Sequence, residues 1–215
     1  MKAFHPSFGT APWPDGLRVL QLYAFPELPP GSALHTLLGD LRVALARLPV
    51  EPLPDHRAHI TLDMVTDATA DAVGPAERRD LADRVRGAVA GLGPIALQAG
   101  APIAYRTGVR LDLHPDDRLA ELQRLVRAAV HGARGPDSTA YPLGVLHMTA
   151  GYAHADTDTD APAQLIHRVR PGHAAFTVRR IALVDVRWRR APPAGSDTSV
   201  RQISWNTVET IPLDG

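Results

Sequence analysis

Two kinds of hydrophobic pattern alternate along the chain. Residues 17–25 are rich in β-forming side chains and predict a strand that stops at the prolines after it. Ser32 is a typical helix N-cap, and the residues that follow it include leucines at helical spacing. They predict an amphipathic helix with a stripe of Leu34, Leu37, Leu38, Leu41, Leu45 and Leu48. A second strand to about Val65 follows. A second helix then runs from about Pro75 to Leu92, with Leu81, Val85, Ala88 and Leu92 on one face, and a short strand occupies 95–98.

The same order of elements then recurs. Residues 107–113 predict a strand, Pro115 and Asp116 open a helix, and a Gly/Pro-rich loop at 132–144 leads to another strand that ends near Tyr152. The helix stripe comprises Leu119, Leu122, Val126 and Ala129. Corresponding strands and motifs are separated by 42 positions in the first copy (Leu17 to His59) and by 40 in the second (Thr107 to His147). This match predicts a structural repeat and two α+β lobes that face each other across a cleft.

The rest of the chain completes one domain. A short helix at about 162–168, a strand at 175–188, a flexible connection at 191–199 and a last strand at 200–211 are predicted. We therefore expect an N-terminal arm at 1–16, a single bilobal domain at 17–211 and a tail at 212–215.

Each copy contains a His-x-Thr triplet within an apolar strand. Side chains in a strand alternate between faces, so His59 and Thr61 share one face, while Ile60, Leu62 and Met64 share the other. The first pair would therefore face away from the core.

The second triplet has the same pattern. His147 and Thr149 share one face, and Leu146, Met148 and Ala150 share the other. If the two polar faces meet, two imidazoles and two hydroxyls converge on one small anionic group. The bare triplet is weak evidence, but the strand context, the apolar backing and the matched position in the repeat make it specific.

Composition narrows the classes of function. The formal net charge is zero, so no global basic field favours binding to duplex nucleic acid, although a local patch would be sufficient for an RNA end. The chain has no cysteine, which excludes disulfides and thiolate chemistry. It has neither a signal-peptide core nor an apolar stretch long enough to span a membrane, and we expect a cytoplasmic protein that does not bind membranes.

The paired triplets, His59-Ile60-Thr61-Leu62 and His147-Met148-Thr149-Ala150, resemble the signature of the two-histidine (2H) phosphoesterase superfamily. The most similar branch is that of the bacterial RNA 2′,3′-cyclic phosphodiesterases, also called 2′-5′ RNA ligases. The resemblance covers residues 17–211. It implies an α+β fold of two pseudo-symmetric lobes around a central cleft, each an antiparallel sheet with helices on its outer face. It also implies a monomer that needs no cofactor and no metal.

The chemistry implied by the resemblance accounts for these residue types. Opening a 2′,3′-cyclic phosphate needs a base that deprotonates water and an acid that protonates the leaving ribose oxygen, and histidine performs both roles near neutral pH. Following the family, His59 is the expected general acid and His147 the expected general base, although the symmetry leaves the two roles open to exchange. Thr61 and Thr149 would donate hydrogen bonds to the non-bridging oxygens.

One position departs from the family pattern. Relatives often carry an arginine five residues after the second histidine, and this chain has Tyr152 there. Tyrosine can donate a hydrogen bond or stack on a base, so Tyr152 remains a candidate substrate-binding residue without supplying positive charge. Arg187 and Arg189 are candidates for the missing charge, although a solvated strand edge is the simpler interpretation of each. Tyr23 and Trp205 are aromatic candidates for base stacking, with core packing as the favoured alternative.

The leading hypothesis is a metal-independent phosphodiesterase that acts on 2′,3′-cyclic phosphates of RNA ends or small nucleotides, with 2′-5′ RNA ligase activity as the same chemistry in reverse. Two alternatives remain open. The same site would accept a 2′-5′ oligonucleotide or the cyclic phosphate of a nucleotide metabolite, or the protein would be a non-catalytic module that binds nucleotides or RNA.

Overall fold

The computed structural model describes residues 1–192 and 200–214. The described strands are β1 (Ser7–Phe8), β2 (Ala11–Pro12), β3 (Arg18–Pro26), β4 (Val50–Pro52), β5 (Ile60–Met64), β6 (Ile95–Tyr105), β7 (Gly108–His114), β8 (Met148–Ala153), β9 (Ala174–Ala191) and β10 (Val200–Pro212). The helices are α1 (Ala33–Leu45), α2 (Pro75–Val89), α3 (Asp117–Arg134) and α4 (Asp160–Ile166). None of the described helices is both long enough and apolar enough to cross a membrane.

Eight strands form an antiparallel sheet that closes on itself. The order is β10-β9-β3-β5-β8-β7-β6, β6 also pairs with β9, and β4 pairs with the far part of β8. Strands β3 and β5 carry the first half of the repeat and β7 and β8 the second, and the halves meet where Ile60 of β5 pairs with Met148 of β8. The expected α+β fold is confirmed, and its two halves are joined into one barrel-like sheet.

The helices cover one face of this sheet with the predicted apolar stripes, except that Leu48 lies beyond the end of α1 and Leu92 beyond the end of α2. Ser32 caps α1 by accepting a hydrogen bond from the amide of His35 at 3.3 Å. The buried residues of α1 are Leu34, Leu37, Leu38, Leu41 and Leu45, and those of α3 include Leu119, Leu122, Val126 and Ala129. A second buried cluster contains no helical residue and comprises Trp13, Val19, Tyr23, Leu53, Ala182, Val184, Val186, Trp188 and Ile203. This second cluster underlies the first His-x-Thr motif.

A β-bulge follows the threonine of the first motif. Leu22 pairs with Asp63 and Tyr23 pairs with Thr61, which leaves Leu62 as an extra residue of β5. The bulge reverses the alternation of side chains beyond it. The prediction that Met64 shares a face with Leu62 is therefore wrong: Leu62 lies in the helix-covered core, and Met64 packs against the second cluster.

The second motif has the same bulge at the same place. Val109 pairs with Gly151 and Arg110 pairs with Thr149, which leaves Ala150 as the extra residue of β8. The repeat therefore extends to the register of the two motif strands. It also makes Tyr23 of β3 and Arg110 of β7 equivalent, because each is the cross-strand partner of a motif threonine.

Both ends of the chain contact the domain. In the N-terminal arm, the amide of Phe4 donates to the carbonyl of Ala153 at 2.7 Å, and Met1 is buried. In the predicted tail, Leu213 is buried and its amide donates to the carbonyl of Arg179 at 2.8 Å. Residues 193–199 of the predicted flexible connection, and Gly215 of the tail, lie outside the described residues.

Candidate active site

The two motif histidines are held by the same backbone contact. His59 immediately precedes β5 and His147 immediately precedes β8. The Nδ1 of His59 lies 2.7 Å from the carbonyl oxygen of Arg57, and the Nδ1 of His147 lies 2.9 Å from the carbonyl oxygen of Val145. A carbonyl only accepts hydrogen bonds, so Nδ1 carries the proton in both rings and Nε2 remains for chemistry.

His59 occupies an aromatic environment. Its ring stacks on Tyr23 with centroids 4.2 Å apart and planes at 26° to each other. The centroid of the Trp205 ring lies 5.1 Å from that of His59, in an edge-to-face arrangement. Burial lowers the pKa of His59 to about 4, and the positive charges of His147 and Arg57 also lower it. In the unliganded protein His59 is therefore neutral at pH 7.

His147 is more accessible and lines an open cavity of about 270 Å³. Thr61 comes to this cavity from the first half of the repeat, and Thr149 and Tyr152 come from the second. Burial lowers the pKa of His147, as does the positive charge of Arg110, while the hydrogen bond to Val145 opposes the shift. Ile60 and Met148, the residues directly after the two histidines, are cross-strand partners, and this pairing brings the two motifs together.

Tyr152 is half-buried between two aromatic rings. Its ring centroid lies 4.3 Å from that of Phe4 and 5.0 Å from that of Trp188. Burial raises the pKa of Tyr152 to about 12, and a side-chain hydrogen bond with Thr149 opposes that shift. Tyr152 thus presents a neutral phenol to the cavity, which Thr149 also lines.

The two arginines expected to replace the missing charge lie elsewhere. Arg187 lines a neighbouring cavity, where its Nε donates to Ser204 Oγ at 3.4 Å, and Arg189 lines a third cavity. Neither lines the cavity that contains His147. Of the aromatic candidates, Tyr23 is buried beneath His59, and Trp205 is half-buried with the Arg57 guanidinium carbon 4.4 Å from its ring centroid. Tyr23 therefore packs in the core and is not exposed for base stacking.

Arg110 is the positive charge in this cavity, and it was not among the candidates drawn from the sequence. Its guanidinium carbon lies 4.0 Å from the ring centroid of Tyr105, another cavity residue. The register of β7 against β8 places Arg110 directly opposite Thr149. The available signal was the repeat itself, since Arg110 stands where the first half has Tyr23. The two bulges that establish this equivalence are not visible in the residue pattern.

A buried ion pair supports the first motif from below. Asp63 is fully buried, and its two carboxylate oxygens accept from Nε and Nη2 of Arg127, each at 2.7 Å. The hydroxyl of Tyr141 donates to the same carboxylate at 2.6 Å. Tyr141 belongs to the loop that leads to His147, so this cluster ties the strand of one motif to the loop before the other.

Within residues 1–192 and 200–214, no group of three or more His, Cys, Asp and Glu side chains has the arrangement of a metal site. The polar groups that line the cavity are one imidazole, one guanidinium, three threonine hydroxyls and two phenols: His147, Arg110, Thr61, Thr107, Thr149, Tyr105 and Tyr152. His59 lies outside this lining, with its ring covered by Tyr23 and Trp205.

The family model of the 2′-5′ RNA ligase superfamily matches residues 29–188. No curated protein matches the chain. Among solved structures, TT0787 of Thermus thermophilus has a TM-score of 0.65 at 17% identity, and the match covers 92% of this chain and 98% of that one. LigT of E. coli complexed with 3′-AMP has a TM-score of 0.61 at 15% identity, covering 92% and 98%. LigT complexed with ATP has a TM-score of 0.59 at 13% identity, covering 93% and 99%.

Proposed function

The chain belongs to the 2′-5′ RNA ligase superfamily, and we propose that it opens 2′,3′-cyclic phosphates at RNA ends or on small nucleotides to give 2′-monophosphates. The observation that carries this proposal is the matched pair of histidines. His59 and His147 come from the two halves of the repeat, and each is anchored through Nδ1 so that Nε2 is available. Two such groups can act as acid and base on opposite sides of one phosphorus atom.

In the proposed reaction, water attacks phosphorus while the bond from phosphorus to the 3′ oxygen breaks. One histidine takes the proton of the water, and the other gives its proton to the departing 3′ oxygen. We assign the base to His147, because it is the more solvent-accessible of the two, and the acid to His59, as the family resemblance implies. Thr61 and Thr149 donate to the non-bridging oxygens, whose charge rises in the transition state.

The protonation states are compatible with this assignment once substrate binds. In the unliganded cavity, burial lowers the pKa of both histidines, so both are neutral at pH 7. A cyclic phosphate carries one negative charge, and an anion beside an imidazole raises its pKa. The substrate thus supplies the charge that lets His59 hold the proton it must donate.

Two further observations support a nucleotide as the substrate. The cavity of about 270 Å³ is open and holds donors and a cation suited to one phosphate group. The structurally similar LigT of E. coli has been solved with 3′-AMP and with ATP. If a 5′-hydroxyl RNA end replaced water as the nucleophile, the same displacement would form a 2′-5′ phosphodiester bond.

In a direct test, the purified protein is incubated in the presence of EDTA with each of the four 2′,3′-cyclic mononucleotides and with a short RNA that ends in a cyclic phosphate. The products are resolved as 2′- or 3′-monophosphates. We expect turnover to 2′-monophosphates that EDTA does not abolish. Absence of turnover together with tight nucleotide binding would replace the proposal with a non-catalytic binding module.

A further inference from the structure

Arg110 lines the cavity together with His147 and Thr149. Cross-strand partners in an antiparallel sheet have Cβ atoms about 5 Å apart on the same face. Arg110 is the cross-strand partner of Thr149, and His147 lies two residues before Thr149. All three residues line the same cavity. The guanidinium is thus close to both groups that would contact a bound phosphate.

The two halves of the repeat differ at this position. In the first half, Tyr23 pairs with Thr61 and is buried against His59. In the second half, Arg110 pairs with Thr149 and is only half-buried beside the more open His147. At this one position, the pseudo-symmetric site therefore has a neutral ring on the side of His59 and a cation on the side of His147.

The charge of Arg110 is not neutralised by the rest of the described chain. Arg110 forms no ion pair within residues 1–192 and 200–214, and its buried Nε has no hydrogen-bond partner there. Buried donors are nearly always paired, so an unpaired one beside a cavity points to a missing acceptor. The nearest acid along the strand is Asp112, which is exposed and acts on the pKa of His147 in the opposite direction.

Tyr105 holds the guanidinium in place. The Arg110 guanidinium carbon lies 4.0 Å from the Tyr105 ring centroid, which is a stacking distance. The contact restricts the long side chain without using its N–H donors. Those donors therefore remain available for a planar, bidentate contact with phosphate oxygens.

We propose that Arg110 binds a non-bridging oxygen of the substrate phosphate beside His147, and so supplies a positive charge that Tyr152 does not provide. This inference rests on the proposed function. It makes Arg110 a substrate-binding residue that holds the phosphate in the ground state and stabilises its charge in the transition state. Tyr105 is a positioning residue that acts through Arg110.

The test compares Arg110→Ala, Arg110→Lys and Arg124→Ala with the wild type. Arg124 is exposed on α3 and lines none of the site cavities, so its variant controls for the loss of one positive charge. With a 2′,3′-cyclic mononucleotide, we expect kcat/KM to fall roughly 10- to 100-fold in Arg110→Ala, with contributions from both kcat and KM. Arg110→Lys should recover part of the loss, and Arg124→Ala should match the wild type.

A second readout does not depend on turnover. Binding of inorganic phosphate, followed by titration calorimetry, should weaken at least about 10-fold in Arg110→Ala and remain unchanged in Arg124→Ala. A wild type that turns over substrate while Arg110→Ala keeps its kcat/KM and phosphate affinity would overturn the inference and leave the proposed function standing. A wild type without turnover would overturn the proposed function, and phosphate binding would still decide the role of Arg110. Failure of the wild type to bind phosphate would overturn that role.

Discussion

The ring of Tyr23 lies flat against the imidazole of His59, with centroids 4.2 Å apart and planes 26° apart. Tyr23 comes from β3 and His59 from the residue before β5, so the stacking depends on the pairing of these two strands. It removes His59 from water on one side, while Trp205 covers another edge. The result is a catalytic candidate whose neutral form is strongly favoured in the empty site.

The first prediction concerns the titration of His59. Burial lowers the pKa of His59 from its ordinary value of 6.5 to about 4. An NMR titration of the unliganded protein should therefore give a midpoint near 4 for this ring. Addition of a 2′-monophosphate should raise that midpoint, because the bound anion favours the imidazolium form. A midpoint near 6.5 in the empty site would contradict the buried environment.

The same shift predicts a dependence of stability on pH. Between pH 6.5 and 4 the unfolded chain binds a proton at His59 that the folded chain does not, so the free energy of unfolding falls as the pH is lowered through this window. The contribution of His59 amounts to about 3 kcal/mol and is fully retained above pH 6.5. Urea unfolding at about pH 7 and about pH 4.5 measures it. In His59→Gln, the decrease in the free energy of unfolding between the two pH values should be smaller than in the wild type by most of this contribution of about 3 kcal/mol. A decrease equal to that of the wild type would contradict the prediction.

The helices and the motif faces were predictable because they depend on local patterns. The leucine stripe of α1 needs only the spacing of apolar residues, and the shared face of His147 and Thr149 needs only strand alternation. The Ser32 cap was visible for the same reason.

The missed features depend on long-range pairing. The bulges at Leu62 and Ala150 change the register without changing the local composition, and the first of them carried Met64 to the other face. Arg110 sits on a strand face whose pattern indicates only exposure, and its cavity arises from the meeting of β7, β8 and the N-terminal Phe4. Residues that are distant in the sequence form this cavity, so no local sequence pattern predicts it.

The motif threonines should contribute to catalysis through their hydroxyl groups alone. A hydrogen bond to a charged group contributes about 1.5–3 kcal/mol, so Thr61→Val and Thr149→Val should each lower kcat/KM by roughly 10- to 100-fold. Valine keeps the β-branched shape, and thermal stability should stay close to that of the wild type. Thr207→Val, at an exposed position of β10, is the matched control. If both motif variants kept the wild-type kcat/KM, the threonine hydroxyls would have no role in catalysis.

The buried pair of Asp63 and Arg127 should support both stability and the position of the second motif. Arg127→Met leaves the fully buried Asp63 carboxylate without its ionic partner, at a cost of about 3–5 kcal/mol in the free energy of unfolding. Urea unfolding measures this cost.

Arg84→Met provides the comparison for that variant. Arg84 pairs with Asp80 on the exposed surface of α2 at 2.9 Å, and its loss should cost no more than about 1 kcal/mol. If the two substitutions lowered the free energy of unfolding equally, burial would not increase the contribution of the Asp63–Arg127 pair to stability.

The measurement that tests the central claim most directly is kcat for the wild type, His59→Ala, His147→Ala and the double variant on one 2′,3′-cyclic mononucleotide. His167→Ala, at an exposed position after α4, is the control. If the two histidines act as one acid–base pair, each single variant should lose about 10²- to 10⁴-fold in kcat, and the double variant should lose little more than the worse single one. Wild-type kcat in either single variant would contradict the account.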